Sequence, residues 1–255
     1  MIAGPIHKTQ ETFVSSPLQV SIDRGVAHLR LARPDAMNAL DRTLAQDLAA
    51  TCEELAKDPQ VRVVVLSGEG KAFMAGGDLH DLRAQPLEAV DALIPAFHRA
   101  VQQLADMPQP VIAAIHGAAA GGGMSLALAA DLTIAAEGTR LVFAYCDIGT
   151  SCDGGMSWHL PRRVGLARAM DIALLGEPLG ASEALALGLV TKVVPADQLM
   201  PEAHRQAARL AARDPRALAH VKRLIRSASE RSLRDQLQQE YQAFRDCASD
   251  RKSVV

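Results

Sequence analysis

The chain has 255 residues, of which 49% are hydrophobic and 22% charged, enough apolar material for one large domain or one domain with an appendage. A formal net charge of −2 and only 3% aromatic residues exclude the basic footprint and stacking surfaces of a nucleic-acid binder, so any anion recognition must be local. No secretory leader and no apolar run of membrane-spanning length can be read, so the cytoplasm is the expected compartment, with no membrane partner, and Cys52, Cys146, Cys152 and Cys247 are expected as reduced thiols.

Residues 1–16 lack periodicity and read as a flexible arm. Leu18 to Ile22 and Val26 to Leu31 alternate around Asp23-Arg24-Gly25, which predicts a hairpin. Arg33-Pro34 ends that unit. Asp41 can cap a helix in which Leu44, Leu48, Cys52 and Leu55 recur at helical spacing, and Asp58-Pro59 stops it. Val61 to Leu66 reads as a buried strand, followed by a turn at Gly68 and Gly70 and a small-residue loop from Phe73 to Leu79. A helix over Glu88 to Ala105 contains Pro95, which should kink or break it. Ile94, His98, Val101 and Ala105 share one face, so His98 is expected to point towards apolar neighbours, where a lone histidine is usually a satisfied core residue.

The stretch from Pro110 to Arg162 concentrates the chemistry. Val111 to Ile115 is a short β-branched run bounded by Pro110 and Gly117, as a buried parallel strand should be. Gly117-Ala-Ala-Ala-Gly121-Gly122-Gly123 then leads into Met124 to Ala130, apolar on every side, which reads as a buried helix. Glycines at such a junction let backbone approach a ligand and leave N–H groups aimed at negative charge, although they can equally serve tight helix packing. A nucleotide-phosphate loop is excluded, because Gly123-Met124 stands where Lys-Ser/Thr is required and no G-x-G-x-x-G is present.

Beyond it, Asp131 to Ala135 and Leu141 to Phe143 read as short strands. The irregular stretch Tyr145 to Gly155 ends in Asp153-Gly154-Gly155, with Cys146 and Cys152 on its flanks as expected buried fillers. Trp158 to Val164 leads into a helix over Leu166 to Leu175. Apart from a strand at Val190 to Val194, the rest reads as helical: Ser182 to Leu187, Asp197 to Ala212, Pro215 to Ser227 and Leu233 to Cys247. Strands alternating with helices first, and helices alone later, indicate an α/β core with a helical C-terminal appendage.

These motifs resemble the enoyl-CoA hydratase/isomerase, or crotonase, family over nearly all of residues 18–247. The matching segments are Arg33-Pro with Asn38-Ala-Leu, Ala72-Phe with Ala75-Gly-Gly-Asp-Leu, Pro110-Val-Ile-Ala-Ala-Ile-His-Gly, Gly121-Gly-Gly, Leu160-Pro-Arg with Val164-Gly, and Ala184 with Gly188-Leu-Val. The resemblance implies an α/β, crotonase-like spiral of ββα repeats over residues 17–195 and a helical trimerisation region over residues 196–255. A homotrimer or dimer of trimers follows from it. It implies an acyl-CoA substrate, with coenzyme A entering as part of that substrate, no prosthetic group and no metal. One N–H from each glycine loop, at Gly77 and Gly122, would grip the thioester oxygen, a use for which paired donors beside small residues are suited. By the same carry-over, the adenine and pantetheine would run past Met37, Ala39, Ala72, Met74, Ala75, Gly76, Asp78 and Leu79. The short polar end, Ser249 to Val255, stands where the family carries further helix over the adenine, so a more open adenine site is expected.

The family's two catalytic glutamates align with Ser125 and Tyr145. Ser125 can hold a water but is no base at neutral pH, and a tyrosine of reference pKa about 10 does not replace a carboxylate. The remaining carboxylate is Asp153, in a turn resembling the single-acid Δ3,Δ2-enoyl-CoA isomerases of phenylacetate degradation, which share the later Trp and Leu-Pro-Arg. The first reading is therefore a double-bond isomerase with Asp153 as sole acid/base, its pKa raised from about 3.9 by Ile148, Met156 and Trp158. A second makes Asp153 the nucleophile of an aryl- or acyl-CoA dehalogenase or hydrolase, with His98 activating water and Phe97 and Tyr145 matching that branch's aromatics. A third is a family member that has lost catalysis and serves as a binding or scaffold protein. A plain Asp-Gly turn is the structural alternative for Asp153.

Overall fold

The computed structural model describes residues 16–78 and 86–249. The expected arm, apart from Ser16, lies outside the described residues, as do Leu79 and residues 250–255.

The first hairpin follows from its turn residues. Strands β1 (Leu18–Asp23) and β2 (Val26–Leu31) pair antiparallel with Asp23 opposite Val26, leaving Arg24-Gly25 as the turn. Both turn residues are left-handed, at φ 45° and 80°, the conformation whose twist matches the flanking strands. Helix α1 (Arg42–Lys57) begins where the Asp41 carboxylate accepts from Leu44 N at 2.8 Å and ends at Asp58.

Along the chain come β3 (Val63–Gly68), α2 (Pro86–Asp106), β4 (Val111–Ile115), β5 (Ala118–Ala120), α3 (Gly122–Ala129), β6 (Leu132–Ala136), β7 (Arg140–Val142), α4 (Met156–Val164), α5 (Leu166–Leu175), β8 (Leu179–Gly180), α6 (Ala181–Ala186), β9 (Lys192–Val194), α7 (Leu199–Ala211), α8 (Pro215–Ser227) and α9 (Leu233–Ser249). The larger sheet has the order β1-β2-β3-β4-β6-β9 and is parallel from β2 onward. The smaller sheet, β5-β7-β8, is extended by the single bridges Met74–Ala119 and Leu40–Gly77. Each turn of chain thus lays down a strand of the large sheet, a short strand of the small one and a helix, which is the expected ββα spiral.

Alternation along β3 splits the core. Val64 and Leu66 face α1 to α3, while Val63 and Val65 face Leu199, Ala203 and Ala207 of α7. α8 is tied down by charge: Asp131, just before β6, accepts from Val111 N at 2.8 Å and pairs with Lys222 at 2.9 Å and Arg226 at 2.7 Å.

Several expectations are corrected. Of the kink or break expected at Pro95 the break does not occur: α2 continues through it, with the ring on the exposed side, where water can serve the carbonyl left without a donor. The segment entered at Trp158 is itself helical from Met156, because left-handed Gly155 at φ 73° turns the chain into α4. β5 and β8 were not anticipated, since Ala-Ala-Ala and Leu-Gly have no strand signature and pair only because the spiral supplies neighbours. Cys146 is exposed rather than a buried filler, and Cys152 is half-buried.

α7 meets the large sheet at His28, whose Nε2 lies 2.9 Å from Ser67 Oγ and whose ring packs edge-on to His204 at 5.5 Å. Burial first, then the His204 and Arg30 charges, lower the His28 pKa to about 4. A histidine whose pKa is depressed on folding contributes stability above its unfolded value of about 6.5 that is lost as pH falls towards the folded value. Urea unfolding midpoints should therefore decline between pH 6.5 and 4, with a shallower decline in His28→Gln.

Candidate active site

The glycines of the sequence motif work as contacts. A Cβ on Gly117 (φ 57°) would stand 1.9 Å from Lys71 O, and one on Gly123 would stand 2.2 Å from Met74 O. Only bare backbone lets β5 and the start of α3 lie against the 71–77 segment. The two glycine loops meet there: a Cβ on Gly121 would be 3.8 Å from Gly76 Cα, and one on Gly76 would be 3.3 Å from Ala120 O. Gly122 is the first residue of α3, where a backbone N–H has no intrahelical acceptor and the helix presents its positive end. Gly77 is fixed by its bridge to Leu40, with Leu40 N donating to Gly76 O at 2.7 Å and Asp78 N to Leu40 O at 2.9 Å.

Asp153 is brought to the same place by its own turn. Gly154 and Gly155 are left-handed, at φ 56° and 73°, and a Cβ on Gly154 would stand 2.4 Å from the Phe97 ring and 2.7 Å from Ser125 Cβ. A Cβ on Gly122 would be 4.0 Å from Asp153 Oδ1, so the carboxylate lies beside the first turn of α3. Tyr145 donates its hydroxyl to Asp153 Oδ1 at 2.6 Å. Ser125 Oγ lies 2.8 Å from that hydroxyl and 3.0 Å from the Asp153 main-chain oxygen, and its one proton serves one acceptor at a time. Burial raises the Asp153 pKa, opposed by the Tyr145 hydrogen bond and by the charge of His98. Burial, reinforced by the neighbouring Asp153 charge, also raises the Tyr145 pKa, so this phenol is a donor and not a base at neutral pH.

From Asp153 a cavity of about 970 Å³ extends between α2, α4 and α8, lined among others by His98, Val101, Cys152, Trp158 and Arg223. His98 is therefore not directed into the core: it is exposed and lines this cavity, while Phe97 takes the buried position. Val101 and Ala105 of the same face line the cavity with it, while Val101 and Ile94 also pack on the core. Ile148 is likewise exposed, at 48%, on a 3-10 turn, and the apolar group against the Asp153 turn is Phe97, with Met156 buried and Trp158 on the cavity wall. Ser125 is fully buried and engaged by protein groups rather than open to hold a water.

The residues expected along the coenzyme path differ in what they offer. Met37 is left-handed (φ 49°) and exposed, and its carbonyl accepts from Ala75 N at 3.1 Å, with Ala39 beside it. Ala72 and Met74 are buried, and both backbone polar groups of Met74 are spent on Ala118 and Ala120. Asp78 is held with Asp41 by Arg33, at 3.2 Å and 3.1 Å. The Tyr145–Ser125 link was missed by the sequence reading, whose only signal was that both residues align with glutamates.

Residues 21–254 match the family model described as enoyl-CoA hydratase/isomerase. The 1,2-epoxyphenylacetyl-CoA isomerase of Escherichia coli K12 is 35% identical over 92% of this chain and 92% of its own. Among solved structures, an enoyl-CoA hydratase from Polaromonas sp. JS666 is 38% identical with a TM-score of 0.85, covering 89% of this chain and 90% of that one. An enoyl-CoA hydratase from Bacillus anthracis is 32% identical with a TM-score of 0.89, covering 92% of each.

A carboxyl whose pKa is raised on folding contributes stability at low pH that is lost as pH rises through the folded value. Asp153→Asn, which can still accept from Tyr145, should thus be more stable than the wild type at pH 8. Denaturant titrations should show that advantage shrinking as pH falls towards 4.

Proposed function

The chain belongs to the enoyl-CoA hydratase/isomerase family and is an acyl-CoA enzyme of it, and from that premise we propose that it shifts a double bond, converting a 3-enoyl-CoA to a 2-enoyl-CoA. The observation that carries this reading is the Asp153 carboxylate, which lines the cavity and stands beside Gly122, with no second carboxylate at Ser125 or Tyr145. Asp153 takes a proton from C2, the electron pair delocalises through C3 and C4 and onto the thioester oxygen, and the same carboxyl returns the proton at C4. One base suffices because both carbons lie on one face of a flat dienolate. The N–H groups of Gly77 and Gly122 receive the oxygen's charge, and the positive end of α3 adds to them. The raised pKa of Asp153 brings it towards the range useful for proton transfer at neutral pH.

A second reading is favoured by one observation: His98 lines the same cavity and its charge acts on Asp153. Asp153 would then attack as nucleophile and His98 would activate the water that releases the acyl or aryl group.

The oligomer belongs to the same proposal. α5 exposes Leu166, Met170 and Leu174, and α9 exposes Leu233, Leu237 and Phe244, each set at helical spacing. Such stripes are what copies of one chain would cover in a homotrimer or a dimer of trimers, with α9 in the expected region of residues 196–255 and α5 adding to it from outside.

With a 3-enoyl-CoA, Asp153→Asn should bind but lose isomerisation and C2 deuterium exchange together, by about 10²- to 10⁴-fold, while His98→Gln is tolerated. Wild-type hydration of crotonyl-CoA should be negligible. Exchange surviving in Asp153→Asn, or an acyl-enzyme trapped on Asp153 in His98→Gln, would transfer the assignment to the nucleophilic reading. Light scattering at micromolar concentration should give a trimer or hexamer, and a monomer would sink the assembly.

A further inference from the structure

We infer that Tyr145, oriented by Ser125, is the positioning residue of the working carboxylate: it occupies Asp153 Oδ1 and leaves Oδ2 as the oxygen that meets substrate. This rests on the isomerase reading for what the carboxylate does, but the contact itself stands on geometry. The Tyr145 hydroxyl is 2.6 Å from Oδ1, the one side-chain hydrogen bond to this carboxyl among the described residues, which otherwise meets only its own backbone. A carboxyl on a turn of two glycines would otherwise swing about its side-chain bonds, because neither Gly154 nor Gly155 supplies a side chain to pack against it. Tyr145 removes that freedom, and its own ring is fixed by an edge-on contact with Phe143 at 5.1 Å and by burial.

Ser125 connects this arrangement to the other half of the site. It lies on α3, the helix that opens with Gly122, and its Oγ lies within hydrogen-bond reach of the Tyr145 hydroxyl, the Asp153 carbonyl and, at 3.4 Å, the Gly121 carbonyl. The oxygen that removes the proton and the N–H that takes up the resulting charge are thereby referenced to one short, fully buried helix. A misplacement of about 1 Å between two such groups can cost on the order of 100-fold in rate. The two positions where relatives of the two-glutamate type keep their carboxylates would here hold the carboxylate that remains.

The phenol also has an electrostatic effect. Donation to a carboxylate favours its ionised form, so Tyr145 offsets part of the burial that raises the Asp153 pKa. His98 and Asp106 face the same cavity from α2, Cys152 from the turn before α4, His159 from α4, His220, Lys222, Arg223 and Arg226 from α8, and Glu230 after it. These are unchanged between the wild type and a phenol variant, so a difference between the two reports the phenol alone.

The test is to titrate the Asp153 carboxyl by carbon-13 NMR, assigned against Asp153→Asn, alongside the pH profile of isomerisation. Both are recorded for the wild type, Tyr145→Phe and Ser125→Ala. In Tyr145→Phe the titration and the acid limb of kcat/KM should move together to higher pH, and kcat should fall on the order of 100-fold with KM nearly unchanged. Ser125→Ala should give a smaller change of the same sign. With Tyr241→Phe leaving Tyr145 as the only tyrosine, a more acidic fluorotyrosine should move the acid limb the opposite way, which a purely structural role would not do. An Asp153 titration and pH profile that ignore Tyr145→Phe would overturn the inference while the isomerase reading stands. A titration that responds as expected in a protein without isomerase turnover would instead overturn that reading and leave the contact supported.

Discussion

The site depends on one close approach, that of the first turn of α3 to the backbone around Met74. At Gly123 there is no room for even a methyl group. Because the helix can begin there, its unsatisfied N–H groups open beside Gly76 and Gly77 instead of into solvent. Ser125, in the same short helix, reaches Tyr145 and the Asp153 turn. A helix displaced outward by one side chain's thickness would separate the positive end of α3 from the carboxylate, so packing and site geometry are a single constraint here.

The other end of α3 completes the arrangement. Its last carbonyls would be orphans in a buried position, and guanidinium groups take them. Arg163 donates to Leu128 O and Ala130 O at 2.9 Å and 3.0 Å, and Arg226 donates to Ala129 O at 2.6 Å. Cations at a helix C-terminus are favourable, and these also close the backbone accounting. Arg226 spends its remaining charge on Asp131, which in turn holds Lys222, itself donating to Leu104 O and Gln109 O. α8 is thus clamped to the spiral through the exit end of the helix whose entry end forms the site, which is why the far wall of the cavity belongs to an element distant in sequence. His159 lies among these cations and stays neutral, its pKa lowered to about 4 by burial and then by Arg226, Arg163 and Arg162.

What the sequence revealed follows the range of the interactions involved. The Arg24-Gly25 turn, the Asp41 cap and the spacing of Leu44, Leu48 and Cys52 are local, and each produces the element it signals. The glycine run and the Asp153 turn were legible for the same reason, since a missing Cβ is visible in the letters. β5 is the opposite case: three alanines have no preference for a strand and become one because Arg140–Val142 and Met74 lie alongside. His98 shows a different limit, because periodicity says which residues share a face but not whether that face meets a core or a cavity. The Tyr145–Ser125 contact joins a helix residue to a loop residue twenty positions later and has no local signature.

The same contact shows what Ser125 and Tyr145 supply to the Asp153 carboxylate. A serine and a tyrosine cannot supply a base, but they can supply hydrogen bonds, and a buried carboxylate needs these more than it needs a second charge beside it. A second acid near Asp153 would raise its pKa further by like-charge repulsion. A phenol in that place lowers it, remains protonated because its own pKa is pushed up, and fixes one oxygen without competing for the substrate's proton. Ser125 and Tyr145 are therefore suited to chemistry with one base, where the direction of a single lone pair must be held and no partner acid is required.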